Sequence, residues 1–128
     1  MSATLLLSVA AGGAIGAVLR HLLMIVVNDL VDSQFPFDTL TVNVVGAFIL
    51  GSAIGAMAYA WSPSEAMKAF LTVGLLGGFT TFSLFSMDMF NLVVKGSVIE
   101  AGVYAVASVF LCVLGFTGGM ALLRHALA

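Results

Sequence analysis

The residues with the most chemical potential lie in one stretch of the chain, residues 74–85. This stretch combines three glycines, two threonines, a serine and three phenylalanines. Glycine is weak in helices, and serine and threonine hydroxyls compete for backbone groups, so a helix break is predicted here. Carbonyls freed at membrane depth must bind protein groups, water or an ion. The pattern fits an ion site and fits equally a glycine-faced interface between helices.

Polar side chains inside other apolar runs are the second feature. Asn43 lies near the start of one run, and Tyr104 and Ser108 lie on another at positions i and i+4, which share a helix face. Cys112 extends that face by one turn as a weak thiol donor. These groups suit an anion, and no carboxylate lies deep in a run to line a cation path or a proton relay. The alternative is that the polar side chains join helices to one another.

Phe82 and Phe85 are three residues apart and face the same way if helix resumes there. The edge of an aromatic ring carries partial positive charge and can contact a partly dehydrated anion. Ordinary packing is the competing interpretation of this spacing.

The composition requires a membrane as the solvent. The chain has 128 residues, of which 62% are hydrophobic and 8% charged, and its mean hydropathy is +1.21. Because one transmembrane helix needs roughly 20 apolar residues, about four spans fit and no soluble domain does. We therefore predict an all-α membrane protein with a single domain, residues 1–128, and spans at about residues 3–27, 40–60, 67–94 and 101–123.

Two spans have further features. The third, residues 67–94, would measure about 42 Å as one continuous helix, against a hydrocarbon core of about 30 Å. It must tilt, protrude or break, and Ser64 offers an N-cap for its first helix. In the first span, Gly12, Gly13 and Gly16 are interpreted as a packing face.

Several classes of function are excluded. The formal net charge is −2 and no basic cluster could neutralise a phosphate backbone, so nucleic acid is not an expected partner. One cysteine and two separated histidines make neither an intrachain disulfide nor a zinc site, and no enzymatic constellation is present. The start of the chain lacks the positive region of a signal peptide, so the first helix is predicted to be retained.

The few cations are evenly divided. Four spans place Lys68 and Arg124 on one side of the membrane and Arg20 and Lys95 on the other. Because orientation normally follows an excess of Lys and Arg in cytoplasmic loops, an even division predicts insertion in both orientations. Chance is the alternative, since four charges are a small sample.

Three motifs together carry a family resemblance. They are GGAIGAVLR at residues 12–20, TLTVNVVG at residues 39–46 and GLLGGFTTFSLF at residues 74–85. In order and spacing these motifs, which reach across three of the four predicted spans, closely resemble the signatures of the CrcB/Fluc fluoride channels.

The resemblance implies a fluoride-selective passive channel, not an enzyme, that lowers cytoplasmic fluoride from the inner (plasma) membrane. It implies an antiparallel, dual-topology homodimer with two pores, with no organic cofactor. It also implies a structural sodium ion at the dimer centre, bound by the backbone carbonyls of Gly77 and Thr80. Neutral oxygens suit such a hard cation.

The resemblance also assigns side chains. Arg20 and Asp88 are expected in vestibules, where Arg20 attracts anions or instead reaches lipid phosphates. Two residues depart from the family pattern. The family usually has Glu at the position of Asp88, and a hydroxyl or amide residue at the position of Cys112. The expected pore residues are Asn43, Phe82, Ser83, Phe85, Tyr104, Ser108 and Cys112.

Two other functions compete with this hypothesis. One is a small proton-coupled exporter of the multidrug-resistance type, which requires a carboxylate in the membrane core that the first span lacks. The other is a non-transporting assembly subunit, whose polar side chains would only join helices.

Overall fold

The computed structural model describes residues 2–127, so only the two ends of the predicted domain, Met1 and Ala128, lie outside it. The described chain is helical apart from short connections. Its elements are α1 (Ala3–Leu30), α2 (Phe37–Tyr59), α3 (Glu65–Ala69), a π-helical segment (Phe70–Leu76), α4 (Gly77–Phe79), α5 (Phe82–Val94) and α6 (Val98–Leu127). The most closely packed helix pairs run parallel: α1 with the third span, and α2 with α6.

Within residues 2–127, four stretches are long and apolar enough to cross a membrane: α1, α2, the third span Glu65–Val94 and α6, with 28, 23, 30 and 30 residues. The prediction of an all-α protein with four membrane helices is therefore confirmed. A helix of 30 residues is about 45 Å long, so its ends reach beyond a hydrocarbon core of about 30 Å.

The helices begin where side chains cap them. Ser2 Oγ accepts a hydrogen bond of 3.3 Å from the backbone N–H of Leu5 at the start of α1. Ser64 Oγ accepts one of 3.1 Å from Met67 N–H at the start of α3, which confirms the predicted cap. Each hydroxyl satisfies a backbone donor that the first helical turn leaves unpaired.

The outer surface is made of large apolar side chains. Leu7, Phe90 and Ile99 are exposed over 69%, 67% and 83% of their surface, respectively. In water this surface would cause aggregation, whereas in lipid it contacts hydrocarbon. The fold therefore directs many of its large apolar side chains outward.

The first span packs against the third through glycine. Gly12 and Gly16 are buried on α1. A Cβ atom on Gly12 would lie 2.8 Å from the backbone nitrogen of Leu75, and one on Gly16 would meet the carbonyl oxygen of Leu75. Since backbones approach this closely only where side chains are absent, the predicted packing role of this glycine face is confirmed.

A second glycine interface joins α2 to α6. Gly51 and Gly55 are buried on α2 and Gly119 on α6. A Cβ on Gly51 would meet the carbonyl oxygen of Phe116, and one on Gly119 would meet that of Phe48. The two interfaces hold α1 and α6 against the elements that form the candidate site.

The third span is not one regular helix. Residues 70–76 form the π-helical segment, in which each backbone N–H bonds five residues back and the side chains turn relative to an α-helix. Thr80 (φ −83°, ψ 158°) and Thr81 (φ −151°, ψ 122°) have extended backbones between α4 and α5. These two residues turn α5 relative to the helix before it.

We expect Gly16→Leu to destabilise the protein. The new side chain would enter the space of Leu75 and Phe79, whose backbone atoms lie at or within 3.0 Å of the Cβ position, and overpacking of this kind costs about 1–3 kcal/mol or more. The measurement is the apparent melting temperature of the detergent-purified protein.

Ala14→Leu is the matched control, because Ala14 is exposed on another face of α1. Its melting temperature should stay near that of the unaltered chain. An equally stable Gly16→Leu variant would contradict the close approach of the two backbones.

Candidate functional site

The extended residues of the third span are paired with one side chain of α2. Asn43 Nδ2 donates to the carbonyl oxygen of Thr81 at 2.9 Å, and Thr81 N–H donates to Asn43 Oδ1 at 2.8 Å. The amide thus replaces both helical partners of Thr81. One Nδ2 hydrogen remains for another acceptor, because an amide group has two donors.

The same rearrangement affects two carbonyl groups. In a continuous α-helix, Thr81 N–H would donate to the carbonyl of Gly77, and Leu84 N–H to that of Thr80. Instead, Thr81 N–H donates to Asn43, and Leu84 N–H donates to Thr81 Oγ1 at 3.2 Å. The carbonyls of Gly77 and Thr80, the predicted sodium ligands, therefore lose their usual donors.

A cavity of about 550 Å³ lies between α2, the third span and α6. We call it the central groove, and most of its wall is apolar. It is lined by Asn43, Gly46, Ala47, Leu50, Thr72, Leu76, Gly77, Thr80, Thr81, Phe82, Phe85, Ala105, Ser108, Val109, Cys112 and Phe116. Seven of the predicted site residues meet on this wall: Asn43, Gly77, Thr80, Phe82, Phe85, Ser108 and Cys112.

Ser108 contributes a hydroxyl group with free hydrogen-bonding capacity. The residue is only 8% exposed, and its Oγ has no hydrogen-bond partner within residues 2–127. A buried hydroxyl without a partner is costly, so such groups normally bind water or a ligand. The residue lines the groove, so rotation of its side chain would bring the hydroxyl to a ligand there.

Aromatic rings continue from the groove toward one membrane surface. The ring centroids of Phe82 and Phe85 are 5.2 Å apart, and those of Phe85 and Tyr104 are 5.0 Å apart. Phe35, from the loop between α1 and α2, packs its ring edge-to-face on Tyr104 at 5.5 Å. The four rings form a row that links the groove to that loop.

At the end of this row Tyr104 meets a carboxylate. The Tyr104 hydroxyl donates to Asp88 Oδ2 at 2.9 Å, and the tyrosine as a whole is fully buried. Asp88 also lines a second cavity of about 240 Å³, the polar cavity, together with Asn28, Ser33, Gln34, Phe35, Pro36, Asp38, Asn91, Leu92 and Lys95. Tyr104 and Asp88 therefore join the aromatic row to a polar end.

The two cavities differ in electrostatics. The polar cavity holds the carboxylates of Asp38 and Asp88 and the ammonium group of Lys95. By contrast, each side chain on the groove wall is neutral, as far as residues 2–127 define that wall. An ion in the groove would therefore meet dipoles and ring edges rather than opposite charges.

Four predicted residues do not line the groove wall: Tyr104 and Asp88, which lie at the end of the aromatic row, and Ser83 and Arg20. Ser83 is exposed on α5, and its hydroxyl lies 3.2 Å from Thr81 Oγ1. Arg20 is partly exposed on α1, a helix that packs against the third span. Their assignments to the pore and to a vestibule remain predictions.

Sequence reasoning missed two residues of the site. Thr81 caps α5 and binds Asn43 from a position 38 residues away, and Phe35 covers Tyr104. The Thr-Thr pair within an apolar span was a usable signal for the first. For Phe35, in a polar loop, the sequence offered none.

Comparisons with known proteins place this geometry in a family. Residues 7–120 match the family described as "CrcB-like protein, Camphor Resistance (CrcB)". The "Fluoride-specific ion channel FluC" of Rhodospirillum centenum is 45% identical over 124 residues, which are 97% of this chain and 98% of the relative. "Fluoride-specific ion channel FluC 1" of Nitrobacter hamburgensis is 42% identical over the same shares, 97% and 98%.

A third relative gives the same result. The "Fluoride-specific ion channel FluC" of Geobacter sulfurreducens is 41% identical over 122 residues, 95% of this chain and 98% of the relative. The match spans all four membrane helices, which confirms the family expected from the three motifs. The chain is a multi-pass protein of the plasma membrane, and it belongs to the CrcB family.

Proposed function

We propose that this protein is a passive, fluoride-selective ion channel. The observation that carries the proposal is that relatives matching nearly the whole chain bear the name of fluoride-specific channels. The central groove provides a surface suited to that role, because its side chains are neutral and include hydrogen-bond donors on a largely apolar wall.

Fluoride is small and strongly hydrated, so the wall must replace the water that it loses. The unpartnered hydroxyl of Ser108 and the second Nδ2 hydrogen of Asn43 are available donors. The ring edges of Phe82 and Phe85 add weak positive potential. Several weak sites in a row allow an ion to bind and also to leave.

The row of rings then leads toward the polar cavity, where Asp88 accepts from Tyr104. We assign this cavity to a vestibule and the Tyr104 hydroxyl to the pore end. Arg20 is assigned to attract anions at a membrane surface, as a single positive charge on an apolar helix would do.

A structural sodium ion fits the carbonyls of Gly77 and Thr80. Both have lost their α-helical donors to Asn43 and Thr81, and neutral backbone oxygens suit a hard cation. One chain supplies two such oxygens. An antiparallel homodimer would bring a second pair to the same point and would agree with the even division of cations between the two sides.

The proton-coupled exporter has less support. That mechanism needs a carboxylate near the membrane centre. Asp88, in α5, lies one to two turns from the end of its helix and lines the polar cavity rather than the groove. As a passive channel, the protein would let fluoride that entered as HF leak outward and so lower its cytoplasmic concentration.

Purified protein in liposomes should release fluoride in a sustained, electrogenic manner, with negligible release of chloride. A fluoride electrode and a chloride electrode measure the two fluxes from matched vesicles. Chloride flux of similar size, or fluoride flux that requires a proton gradient, would reject the proposed function.

Phe82→Ile and Phe85→Ile should each lower fluoride flux strongly, by about tenfold or more, since an aliphatic side chain lacks the positive ring edge. Phe110→Ile is the control, because Phe110 is 64% exposed on α6 and does not line the groove. Gel filtration verifies that each variant assembles normally. Unchanged flux in both groove variants would remove these rings from the pathway.

Removal of sodium should lower the thermal stability of the purified protein. A cation bound only in the folded state stabilises that state in proportion to its occupancy. Melting is measured in sodium-free buffer containing N-methyl-D-glucamine, before and after addition of sodium or potassium at equal ionic strength. Restoration by sodium alone is expected, and equal curves in all three buffers would contradict the sodium site.

A further inference from the structure

The row of aromatic rings is closed where it meets the polar cavity. Tyr104, whose hydroxyl group is assigned to the pore end, has no surface that water can reach. A fluoride ion is similar in size to a water molecule, so it cannot touch this residue while the surroundings stay as they are. Passage between the groove and the polar cavity therefore requires a group around Tyr104 to move.

One of those groups is not part of a helix. Within residues 2–127, the side chains of the cluster around Tyr104 are Phe35, Leu40, Phe85, Met89, Leu92 and Ala101, with Asp88 at the hydroxyl group. Six of these seven lie on α2, α5 or α6, whereas Phe35 lies in the loop between α1 and α2. Because Phe35 also lines the polar cavity, its ring separates that cavity from Tyr104.

The backbone of Phe35 has only local hydrogen bonds within residues 2–127. Its N–H donates to Ser33 Oγ at 3.1 Å, and its carbonyl oxygen accepts from Phe37 N–H at 2.8 Å. Both partners are two residues away, so neither bond ties Phe35 to α5 or α6. Packing of the ring provides that attachment, and segments held by so few fixed bonds open at low cost in free energy.

The two ends of the loop are joined to each other. Asn28 Nδ2, in the last turn of α1, donates to Asp38 Oδ2, in the first turn of α2, at 3.1 Å. The residues between them can move on this fixed base while both helices stay in place, as loops that close over binding sites do.

We propose that Phe35 is the gate between the polar cavity and the pore end, and that fluoride passes when its ring leaves Tyr104. The gate rests on the proposed function, since it gives this ring a role in fluoride conduction. While the ring lies on Tyr104 the path is closed, so the rate of conduction is reduced to the fraction of time that the path is open.

Access past the ring can be measured without fluoride. Leu92 lines the polar cavity but is only 3% exposed, and it belongs to the cluster on which Phe35 packs. Leu92→Cys is introduced together with Cys112→Ser, which removes the native thiol. A small cationic methanethiosulfonate then modifies the detergent-solubilised protein, and mass spectrometry follows the reaction. With Phe35→Ala the rate should rise about tenfold or more, because the cover is removed.

Two controls test the location of the effect. Val94→Cys places the thiol on a side chain that is 67% exposed, and it should react at the same rate with either residue at position 35. Phe90→Ala removes a ring that is 67% exposed on α5, and it should not change the rate at Leu92→Cys. Equal rates at Leu92→Cys with and without the Phe35 ring would overturn the gate.

Fluoride release from liposomes is the second measurement. Phe35→Ala should raise the initial rate about threefold or more, since the closed state is lost, whereas Phe90→Ala should leave the rate unchanged. Phe35→Leu keeps part of the bulk and should give a smaller rise in both measurements. It takes the place of Phe35→Ala if gel filtration shows that the alanine variant does not assemble.

The two measurements separate the gate from the channel. A faster reaction at Leu92→Cys with unchanged or lower fluoride flux would reject the gate and leave the channel function standing. If neither the unaltered chain nor any variant conducted fluoride, the proposed function would fail together with its gate. The thiol rates would then still decide whether Phe35 covers this end of the aromatic row.

Discussion

The site depends on the pair of hydrogen bonds between the Asn43 side chain and the backbone of Thr81, at 2.8 and 2.9 Å. Lipid offers no donors or acceptors, so backbone that leaves the helix within a membrane must find them in the protein. An amide is the only neutral side-chain group that both donates and accepts in the geometry of a peptide bond. Asn43 thereby permits an extended backbone in the third span where hydrocarbon would otherwise enforce a helix.

Other features follow from where this pairing is placed. Thr81 N–H donates to Asn43, and the Thr81 hydroxyl accepts from Leu84 N–H and so caps α5. Helix α5 therefore starts at Phe82 in a new direction. That direction puts Phe85 beside Tyr104. The glycine face of α1 packs against the third span. Because Gly12 and Gly16 have no side chains, α1 lies close enough to contact the irregular backbone of that span.

Features set by local composition could be predicted from the sequence, and features set by register between helices could not. Apolar runs predicted four spans, Ser64 predicted a cap and the glycines of α1 predicted close packing. The pairing of Asn43 with Thr81 joins positions 38 residues apart, so it depends on which helices are neighbours. The π-helical segment also rotates every later side chain of the span relative to its direction in a continuous α-helix. No residue type within the segment predicts π-helical hydrogen bonds. The contact of Tyr104 with Asp88 depends on that rotation.

The groove also has a consequence for assembly, within the proposed function. One chain leaves it open on a side where Phe82 is 77% and Val109 60% exposed, and an ion there would face hydrocarbon, where a charge is several kcal/mol less stable than in water. Lipid cannot close the groove, because acyl chains offer no dipoles to replace the water of an anion. A protein surface is required, and a second copy related by a twofold axis in the membrane plane would provide one while bringing its own Gly77 and Thr80 carbonyls toward the first pair. Conduction and the central sodium ion would then require the same dimer, because each lacks part of its coordination in a single chain.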